Sequence, residues 1–378
     1  MRIGIDARAL GWAGLGRYSR NLLKNITEND NENDYVVFAP KSFADELNNL
    51  PRTRFVPVTS SYYSLREQTV FLAAILQEKI DLMHFLHFNA PIFYRRPFVV
   101  TIHDLTRFFF PAQKNNGQFH QWAYEEVFRS AVLHSTKIIA VSEHTRSDLV
   151  RYFPQVTGKT SVAYEGVDGE VFKQEGNELV EKENLAKIGI TTPYLLFVGV
   201  WMTHKNLPRL LLAFRKVKAE GYAGKLVITG EGLEHHVNVG QLAKELGLEN
   251  DVVLPGRVSD EMLPILYRQA QMLVFPSLYE GFGLPPLEAM ACGTPVAASR
   301  TSSIPEILGE AAVYFDPYSV EDIAESINKI LLEEGLKEKM VDLGLLQAKN
   351  FNWKKCARET LGVYNTVSEK VPISIPAR

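Results

Sequence analysis

The chain has 378 residues and a formal net charge of −3. This length exceeds the ~250–300 residues at which a single hydrophobic core usually splits, so we expect two domains. The basic residues are scattered along the chain, which excludes a nucleic-acid-binding protein that depends on a basic surface.

The amino-terminal residues 2–6 form a strand-like run without the charged region, apolar region and cleavage site of a signal peptide. No apolar run approaches the ~18 residues that a membrane-spanning helix needs. Cys292 and Cys356 lie far apart in the sequence, which is typical of reduced thiols rather than of a disulfide or a metal site. We therefore expect a cytoplasmic protein. Peripheral contact with the inner face of a membrane is an alternative, because the aromatic run at 107–111 suits either lipid or a core.

In the first half of the chain, β-branched and aromatic runs alternate with amphipathic helical patterns. This alternation predicts an α/β domain with a parallel, doubly wound sheet. The predicted strands cover residues 3–6, 35–39, 82–85, 98–102, 137–141 and 161–164, and the predicted helices cover residues 18–26, 65–76 and 122–133.

A glycine pair, Gly14 and Gly16, follows the first predicted strand and opens a helix. The pattern is not a full G-x-G-x-x-G, and no acidic residue follows at the end of a second strand, so a dinucleotide site is poorly supported. A glycine loop at a helix N-terminus suits an anion or a closely bound sugar. A simple tight turn is the alternative.

His103 and Asp104 end the predicted strand 98–102. A histidine at the carboxyl end of a strand is a candidate site residue, although it can equally be part of a hydrogen-bonded structure. His84 and His87 lie near the end of the preceding strand. No third ligand accompanies them, so we do not predict a metal site.

Residues 173–192 are polar and charged, and they are the predicted linker. A second α/β series follows, and two similar domains favour a ligand held in a cleft between them. Its predicted strands cover residues 194–199, 226–229, 252–254, 273–275, 296–299 and 312–315, and the predicted helices cover 207–217, 320–332 and 353–367. We expect the last helix to pack back on the first domain.

A lysine follows the first strand of this second series. That strand ends at Gly199, and a short loop leads to Lys205. An ammonium group at the end of a strand would serve as a point charge for a diphosphate. A solvated lysine before a helix is the alternative.

Two carboxylates, Glu280 and Glu288, bracket the sequence E-G-F-G-L-P-P-L-E directly after an apolar strand. Gly281 and Gly283 let the backbone approach a ligand, and the following prolines suit the first turn of a helix. The two carboxylates would then accept hydrogen bonds from hydroxyls near the positive end of that helix. The pattern predicts a site for a polyhydroxylated, phosphate-bearing ligand, and a surface helix with an acidic start is the alternative.

Four motifs together resemble those of the retaining family-4 glycosyltransferases of GT-B fold. They are the Gly14 and Gly16 pair, His103-Asp104, the segment from Gly199 to Lys205, and Glu280-x7-Glu288. The segments 254–258, 293–296 and 304–306 match the same family pattern. The resemblance covers nearly the whole chain, and its motifs are specific for the family but not for its substrates.

The resemblance implies a donor site in the second domain. In the family pattern, Lys205 corresponds to the residue that binds the donor diphosphate, and Glu288 to the one that receives the ribose hydroxyls. Glu280 would hold the hydroxyls of the transferred sugar, and the loop at 256–258 would meet the base through its backbone. The remaining donor-binding positions that the resemblance implies are Gly199, His204, Gly256, Arg257, Val258, Gly281, Phe282, Gly283 and Leu284.

For the first domain, the resemblance implies that His103 lies near the 6-hydroxyl of the sugar and the reacting centre. His103, Lys205 and Glu280 are therefore the predicted catalytic residues, while Gly14 and Gly16 would border the diphosphate or the acceptor.

Two positions depart from the family pattern. Where family members usually have an arginine, this chain has Val200 and His204, so His204 is a candidate for its role at the diphosphate. Family members commonly have Asn-Gly-Val-Asp near the end of the first domain. Here residues 165–168 read Glu-Gly-Val-Asp, so the role of this loop is open.

The implied architecture is GT-B, with two doubly wound Rossmann-like domains facing each other across a cleft. Residues 1–180 would bind the acceptor, residues 190–350 the nucleotide-sugar donor, and residues 351–378 would return to the first domain. The first-domain loops at 59–65 and 107–117 are the candidate acceptor loops. The sequence gives no indication of the oligomeric state.

The implied reaction moves a hexose of glucose or mannose type, with retention, from a UDP-sugar or GDP-mannose to a hydroxyl of a saccharide or lipid-linked acceptor in cell-surface polysaccharide synthesis. No further cofactor and no divalent ion is expected, because no Asp-x-Asp lies at a suitable loop of the second domain. The alternatives are a nucleotide-sugar epimerase or phosphorylase of the same architecture, and a two-lobed sugar-binding protein.

Overall fold

The computed structural model of the chain describes residues 1–110, 118–232 and 238–368. They form two compact units, one of residues 1–166 together with 353–368, and one of residues 167–352. The units divide earlier in the sequence than the predicted linker at 173–192. That segment belongs to the second unit and contains helix α7 (Glu178–Lys187), which begins where the side chain of Asn177 accepts the amide of Val180.

Seven parallel strands form the sheet of the first unit within the described residues, in the order β3-β2-β1-β4-β5-β6-β7. The strands are β1 (Arg2–Asp6), β2 (Asp34–Ala39), β3 (Thr53–Pro57), β4 (Leu82–Phe85), β5 (Phe98–Ile102), β6 (Lys137–Ala140) and β7 (Thr160–Val162). Every residue of β4 and β5 is buried, as expected for strands covered on both faces. The edge strand β3 was not predicted, because its side chains are mostly half-exposed and include Arg54.

The helices of the first unit lie between or after these strands in the chain, except for a C-terminal helix that follows the second unit. They are α1 (Ala13–Asn29), α2 (Ala44–Asn48), α3 (Leu72–Gln77), α4 (Thr106–Phe109), α5 (Gln118–His134), α6 (Glu143–Tyr152) and the C-terminal α15 (Trp353–Ser368). The predicted helix at 65–76 is interrupted, because Glu67–Phe71 form a π-helical turn before α3.

The second unit repeats the same plan. Its strands are β8 (Tyr194–Val198), β9 (Lys225–Thr229), β10 (Val252–Gly256), β11 (Met272–Phe275), β12 (Val296–Ser299) and β13 (Val313–Phe315), all parallel and in the order β10-β9-β8-β11-β12-β13. Besides α7, its helices are α8 (Leu207–Ala219), α9 (Val239–Glu245), α10 (Met262–Gln269), α11 (Leu284–Ala291), α12 (Ile304–Leu308), α13 (Val320–Leu332) and α14 (Leu336–Ala348).

The prediction of two doubly wound, Rossmann-like domains is therefore confirmed. In each sheet the strand order reverses once, between β1 and β4 in the first unit and between β8 and β11 in the second. In open α/β sheets, ligands bind outside the carboxyl ends of the strands at such a reversal. Two places in the chain thus become candidate sites on topology alone.

Over the described ranges, every helix is too short or too polar to cross a bilayer.

Candidate functional site

The loops that follow β8 and β11 carry the predicted pair Lys205 and Glu280. The ammonium Nζ of Lys205 lies 2.6 Å from Oε1 of Glu280, and the two side chains are only 15% and 12% exposed. The residues are far apart in sequence, but they meet because β8 and β11 are neighbours whose loops leave the same edge at the strand reversal. An ammonium and a carboxylate are therefore held together, with little solvent, where a ligand is expected.

The loop after β8 is fixed by buried hydrogen bonds. Lys205 ends the 3₁₀ turn Thr203–Lys205, and Asn206 follows in the left-handed conformation with φ of +61°. The amide of Asn206 donates to the carbonyl oxygens of Pro276 (3.1 Å) and Pro317 (2.7 Å). Because Asn206 fastens this turn to two neighbouring loops, the main chain of Lys205 has a fixed position.

His204 is buried within the same turn, and its carbonyl oxygen accepts the amide of Leu278 at 2.7 Å. The backbone of His204 thus joins the loop after β8 to the loop after β11. Its role at the diphosphate, suggested by the missing arginine, stays a prediction.

The loop after β11 ends at Gly283, the N-cap of α11, whose φ of +101° and ψ of +61° favour glycine. A proline occupies the first turn of α11, where its missing N–H costs no helical hydrogen bond. The positive end of the helix dipole therefore lies beside the segment that contains Glu280. Phe282 and Leu284, which flank Gly283, are buried.

A serine-rich turn at 300–303, after β12, holds the loop of Glu280. The amide of Glu280 donates to Oγ of Ser302 at 2.9 Å. The buried hydroxyl of Ser303 lies 3.0 Å from the carbonyl oxygen of Glu280 and 3.1 Å from that of Phe282. The sequence analysis missed both serines, although hydroxyls at the carboxyl end of a neighbouring strand could have indicated them.

Glu288 lies inside α11 and is only 2% exposed. Its Oε2 accepts the hydroxyl of Tyr267 from α10 at 2.9 Å. Tyr267 is in turn fixed through its carbonyl oxygen, which accepts the hydroxyl of Thr294 at 2.7 Å. The described contacts thus give Glu288 a protein hydroxyl as partner, where the sequence predicted a ribose hydroxyl.

On the other side of β8, the carboxyl edge is lined by main chain. Gly256 ends β10 with φ of +74°, and its carbonyl oxygen accepts the hydroxyl of Thr229 at 2.8 Å and the amide of Gly230 at 3.0 Å. A Cβ on Gly230 would overlap the carbonyl oxygen of Gly199. The predicted base-binding residues Arg257 and Val258 follow Gly256 at this edge, with Arg257 exposed and Val258 half-buried.

The predicted histidine of the first unit, His103, is held at both ring nitrogens. Its Nδ1 lies 2.9 Å from Oε1 of Glu165, and its Nε2 lies 2.9 Å from the carbonyl oxygen of Leu86. The two contacts together fix the orientation of the ring. Glu165, the departure from the family pattern, thus fixes the ring of His103, and the ring of Tyr18 packs edge-on against it at 4.6 Å.

His84 belongs to a buried polar chain. Its Nε2 lies 2.9 Å from the hydroxyl of Thr101, and its Nδ1 lies 2.6 Å from the hydroxyl of Tyr364 on α15. Burial, with the nearby His103, lowers the pKa of His84 to about 3, so the ring is neutral. Within the described ranges, no three side chains of metal-binding type come together.

The predicted glycine pair has two different environments, both within α1. A Cβ on Gly16 would overlap the carbonyl oxygen of Leu10, whereas a Cβ on Gly14 would meet nothing. Gly16 therefore permits close packing of α1, and Gly14 lies exposed at the first turn of the helix.

A buried arginine that the sequence analysis missed stands at the strand reversal of the first sheet. Arg8 makes two hydrogen bonds to Asp6, at 2.9 and 2.8 Å, and its Nη2 also lies 2.8 Å from Oε1 of Glu67. The same Nη2 donates to the carbonyl oxygen of Asn89 at 3.2 Å. Burial raises the pKa of Glu67 to about 7, although Arg8 acts to lower it. Arg8 thus ties the ends of β1 and β4 to the turn at 67–71.

An aromatic group lies over this arginine. The guanidinium carbon of Arg8 is 4.3 Å from the ring centre of Tyr62, and the Tyr62 ring lies 5.0 Å from that of Trp12. Trp12 and Tyr63 are 44% and 45% exposed, unusual for such large rings. Tyr62 and Tyr63 belong to the predicted acceptor loop at 59–65. The other predicted acceptor loop continues into residues 111–117, which lie outside the described residues.

Two family models match the chain. The model described as Glycosyl transferases group 1 matches residues 180–344, and the model described as Glycosyltransferase Family 4 matches residues 12–171. The O-antigen chain mannosyltransferase B of Escherichia coli is 30% identical to this chain over 373 residues, which cover 93% of this chain and 95% of that protein.

Solved structures share the fold at low identity. A sucrose-phosphate synthase from Thermosynechococcus elongatus superimposes with a TM-score of 0.79 at 19% identity, covering 98% of this chain and 100% of that one. Anabaena HepE, solved in complex with UDP and glucose, superimposes with a TM-score of 0.78 at 17% identity, covering 97% of this chain and 100% of that one.

Proposed function

The chain belongs to the family-4 glycosyltransferases of GT-B fold, and on that premise we propose that it transfers a hexose, with retention, from a nucleotide-diphosphate sugar to a saccharide hydroxyl. The observation that carries the proposal is the shielded pair of Lys205 and Glu280 at the strand reversal of the second sheet.

The chemistry of glycosyl transfer explains why this pair suits the reaction. The transition state is oxocarbenium-like, and negative charge grows on the leaving diphosphate. Fixed positive charge at that phosphate is therefore the largest help that a protein can give. We assign that role to Lys205 and to the N-terminus of α11 at Gly283, with the leaving phosphate oxygen taking the proton of the acceptor. No divalent ion is needed in this scheme.

Donor binding would exchange the partners of the ion pair. The diphosphate, with more negative charge than one carboxylate, would take the ammonium of Lys205. Glu280, still held through Ser302 and Ser303, would then accept hydroxyls of the sugar. The pair seen without a ligand is thus, in this proposal, the resting form of two binding groups.

The rest of the donor would follow the carboxyl edge of the sheet. Adjacent strands are about 4.8 Å apart, and β10 lies two strands from β8. A base at Gly256–Val258 would therefore lie about 10 Å from the diphosphate, with the ribose between them. Glu288 would accept hydrogen bonds from the ribose hydroxyls in place of the one that it accepts from the hydroxyl of Tyr267.

We further propose a mannosyl donor and a polysaccharide product. A relative that is 30% identical over 93% of this chain is named an O-antigen chain mannosyltransferase. Transfer from a UDP-sugar is the second candidate, since HepE was solved with UDP and glucose.

The test is turnover of a panel containing GDP-mannose, UDP-glucose and other UDP-sugars, with and without chelator and with a short mannoside as acceptor. We expect release of one nucleoside diphosphate that rises when the acceptor is added, and a product that keeps the anomeric configuration of the donor. Interconversion of the nucleotide sugar without acceptor would indicate an epimerase and contradict transfer. Activity lost on chelation would contradict the metal-free scheme.

For the acceptor, we propose the aromatic group at the strand reversal of the first sheet. Trp12 and Tyr63 present exposed rings on which a pyranose can stack, and Arg8 is paired with Glu67, whose carboxylate also accepts the amide of Tyr63. We also propose His103, 14% exposed, as a group that contacts a sugar hydroxyl through its Nε2.

Replacing Trp12 or Tyr63 by alanine is expected to raise the KM for acceptor about tenfold, because a stacking face of about 1 kcal/mol or more is lost. Hydrolysis of the donor without acceptor should not change, which steady-state kinetics of both reactions can measure. Leu76→Ala is a control, because Leu76 is also exposed but lies near the C-terminus of α3. An acceptor KM that stays constant in both aromatic variants would place the acceptor elsewhere.

A further inference from the structure

A further cavity, lined by aromatic and charged side chains, lies at the carboxyl edge of the second sheet, beyond the donor positions described above. Its volume is about 440 Å³, at the small end of the range of about 300–1,000 Å³ for small-molecule sites. The lining residues follow β12, end or follow β13, or lie in the first turn of α13, and they are Arg300, Thr301, Tyr314, Phe315, Asp316, Pro317, Tyr318 and Asp322.

Two tyrosine rings in this cavity each lie within about 6 Å of a guanidinium group. The guanidinium carbon of Arg300 lies 5.2 Å from the ring centre of Tyr314, and that of Arg209 lies 5.4 Å from the ring centre of Tyr318. Tyr318 is nevertheless 59% exposed. Arg209 also donates to the side chain of Asn206 at 3.0 Å, which restrains it. The cavity thus offers an accessible aromatic ring that lies against a restrained arginine.

Two carboxylates in the cavity are oriented by main-chain amides. Oδ1 of Asp316 accepts the amide of Tyr318 at 2.9 Å, and Oδ2 of Asp322 accepts the amide of Asp316 at 2.6 Å. Each bond restrains one carboxylate oxygen and leaves the other oxygen to accept from a ligand. Across the described residues, the guanidinium of Arg300 has no hydrogen-bond acceptor, so its donors are available.

These features select the chemistry of the ligand. Arg300, Asp316 and Asp322 line the cavity, and Arg209 lies against the ring of Tyr318, so the positive and negative charges balance and give no net attraction for phosphate or other anions. The charged side chains in the lining also disfavour an acyl chain, because an apolar chain would take them out of water without pairing them. Planar donors and acceptors around an aromatic face instead match the hydroxyls and the C–H face of a neutral sugar. We propose that this cavity binds a neutral saccharide unit, separately from the sugar of the donor.

The cavity adjoins the proposed sugar subsite through the turn at 300–303. Arg300 and Thr301 line the cavity, while Ser302 and Ser303 hold the loop of Glu280. An oligosaccharide unit bound here would therefore lie one loop away from the sugar being transferred. The inference rests on the proposed function, since saccharide transfer is what would supply such a ligand.

The test is binding of mannopentaose and maltopentaose to the full chain by calorimetry, with donor turnover measured on the same samples. We expect at least one of the two to bind, and Tyr318→Ala and Arg300→Ala each to weaken that binding about tenfold. Tyr318→Phe should bind as the unchanged protein does, because the ring remains. Donor turnover with a short acceptor should stay within a factor of about two in all three variants, a difference of less than ~0.5 kcal/mol.

Leu332→Ala is the matched control, because Leu332 is exposed at the other end of α13, roughly 18 Å from its start. Binding of neither oligosaccharide, equal binding by Tyr318→Ala, or tighter binding of mannose 6-phosphate than of mannose would each overturn the inference. Since donor turnover is measured separately, absence of transfer activity would instead count against the proposed function.

Discussion

Replacing Lys205 by alanine is expected to lower turnover by more than about 10²-fold, the usual loss when one charge-stabilising group is removed from an active site. Two losses would combine in this variant. The leaving diphosphate would lose a shielded ammonium, and Glu280, 12% exposed, would lose the partner that lies 2.6 Å away. Steady-state kinetics with a saturating acceptor would measure the effect, and nucleoside diphosphate binding should weaken as well.

A matched ion pair in the same unit provides the control. Lys216 and Glu321 also lie 2.6 Å apart, but both are largely exposed, and such surface pairs contribute little. Lys216→Ala should therefore leave turnover unchanged. A double-mutant cycle of Lys205→Ala with Glu280→Gln would separate the lost phosphate contact from the stranded carboxylate. The phosphate role would be refuted if Lys205→Ala kept its turnover within about threefold of that of the unchanged protein. Such a change corresponds to a loss of less than ~0.7 kcal/mol in transition-state stabilisation.

The fold could be predicted wherever a strand is buried on both faces. Strands such as β5 (Phe98–Ile102) and β11 (Met272–Phe275) are continuous apolar runs, and runs of this kind are the strongest sequence sign of a parallel sheet. The edge strand β3 and helix α7 lack that sign, because their solvent-facing side chains dilute the apolar pattern. Their structure depends on a neighbouring strand or a capping residue, which composition alone does not indicate.

The meeting of Lys205 and Glu280 could be predicted from the positions of their loops, because the carboxyl ends of parallel strands share one edge. Ser303, which holds the Glu280 loop from the next strand, and Arg8, which joins three segments of the first unit, could not. Their roles depend on tertiary contacts between segments distant in sequence. Motifs thus identify the groups proposed to meet a ligand more readily than the groups that hold them in place.

Glu280→Gln should separate sugar transfer from nucleotide binding. The substitution keeps the size of the side chain and the main-chain bonds of residue 280 to Ser302 and Ser303, but it removes the charge that receives the sugar hydroxyls. Hydrogen bonds to a charged group contribute about 1.5–3 kcal/mol, so we expect kcat/KM for transfer to fall about 10- to 100-fold.

Binding of the nucleoside diphosphate alone should not weaken in Glu280→Gln. In the protein without ligand, the carboxylate of Glu280 competes with a diphosphate for the ammonium of Lys205 at 2.6 Å. Removing that negative charge frees the ammonium, so the Kd for UDP or GDP, measured by calorimetry, should stay constant or decrease. Glu321→Gln, at the exposed pair, should change neither quantity. If transfer and nucleotide binding fell by the same factor, Glu280 would be acting on the phosphate rather than on the sugar, and the two roles proposed for this pair would have to be reassigned.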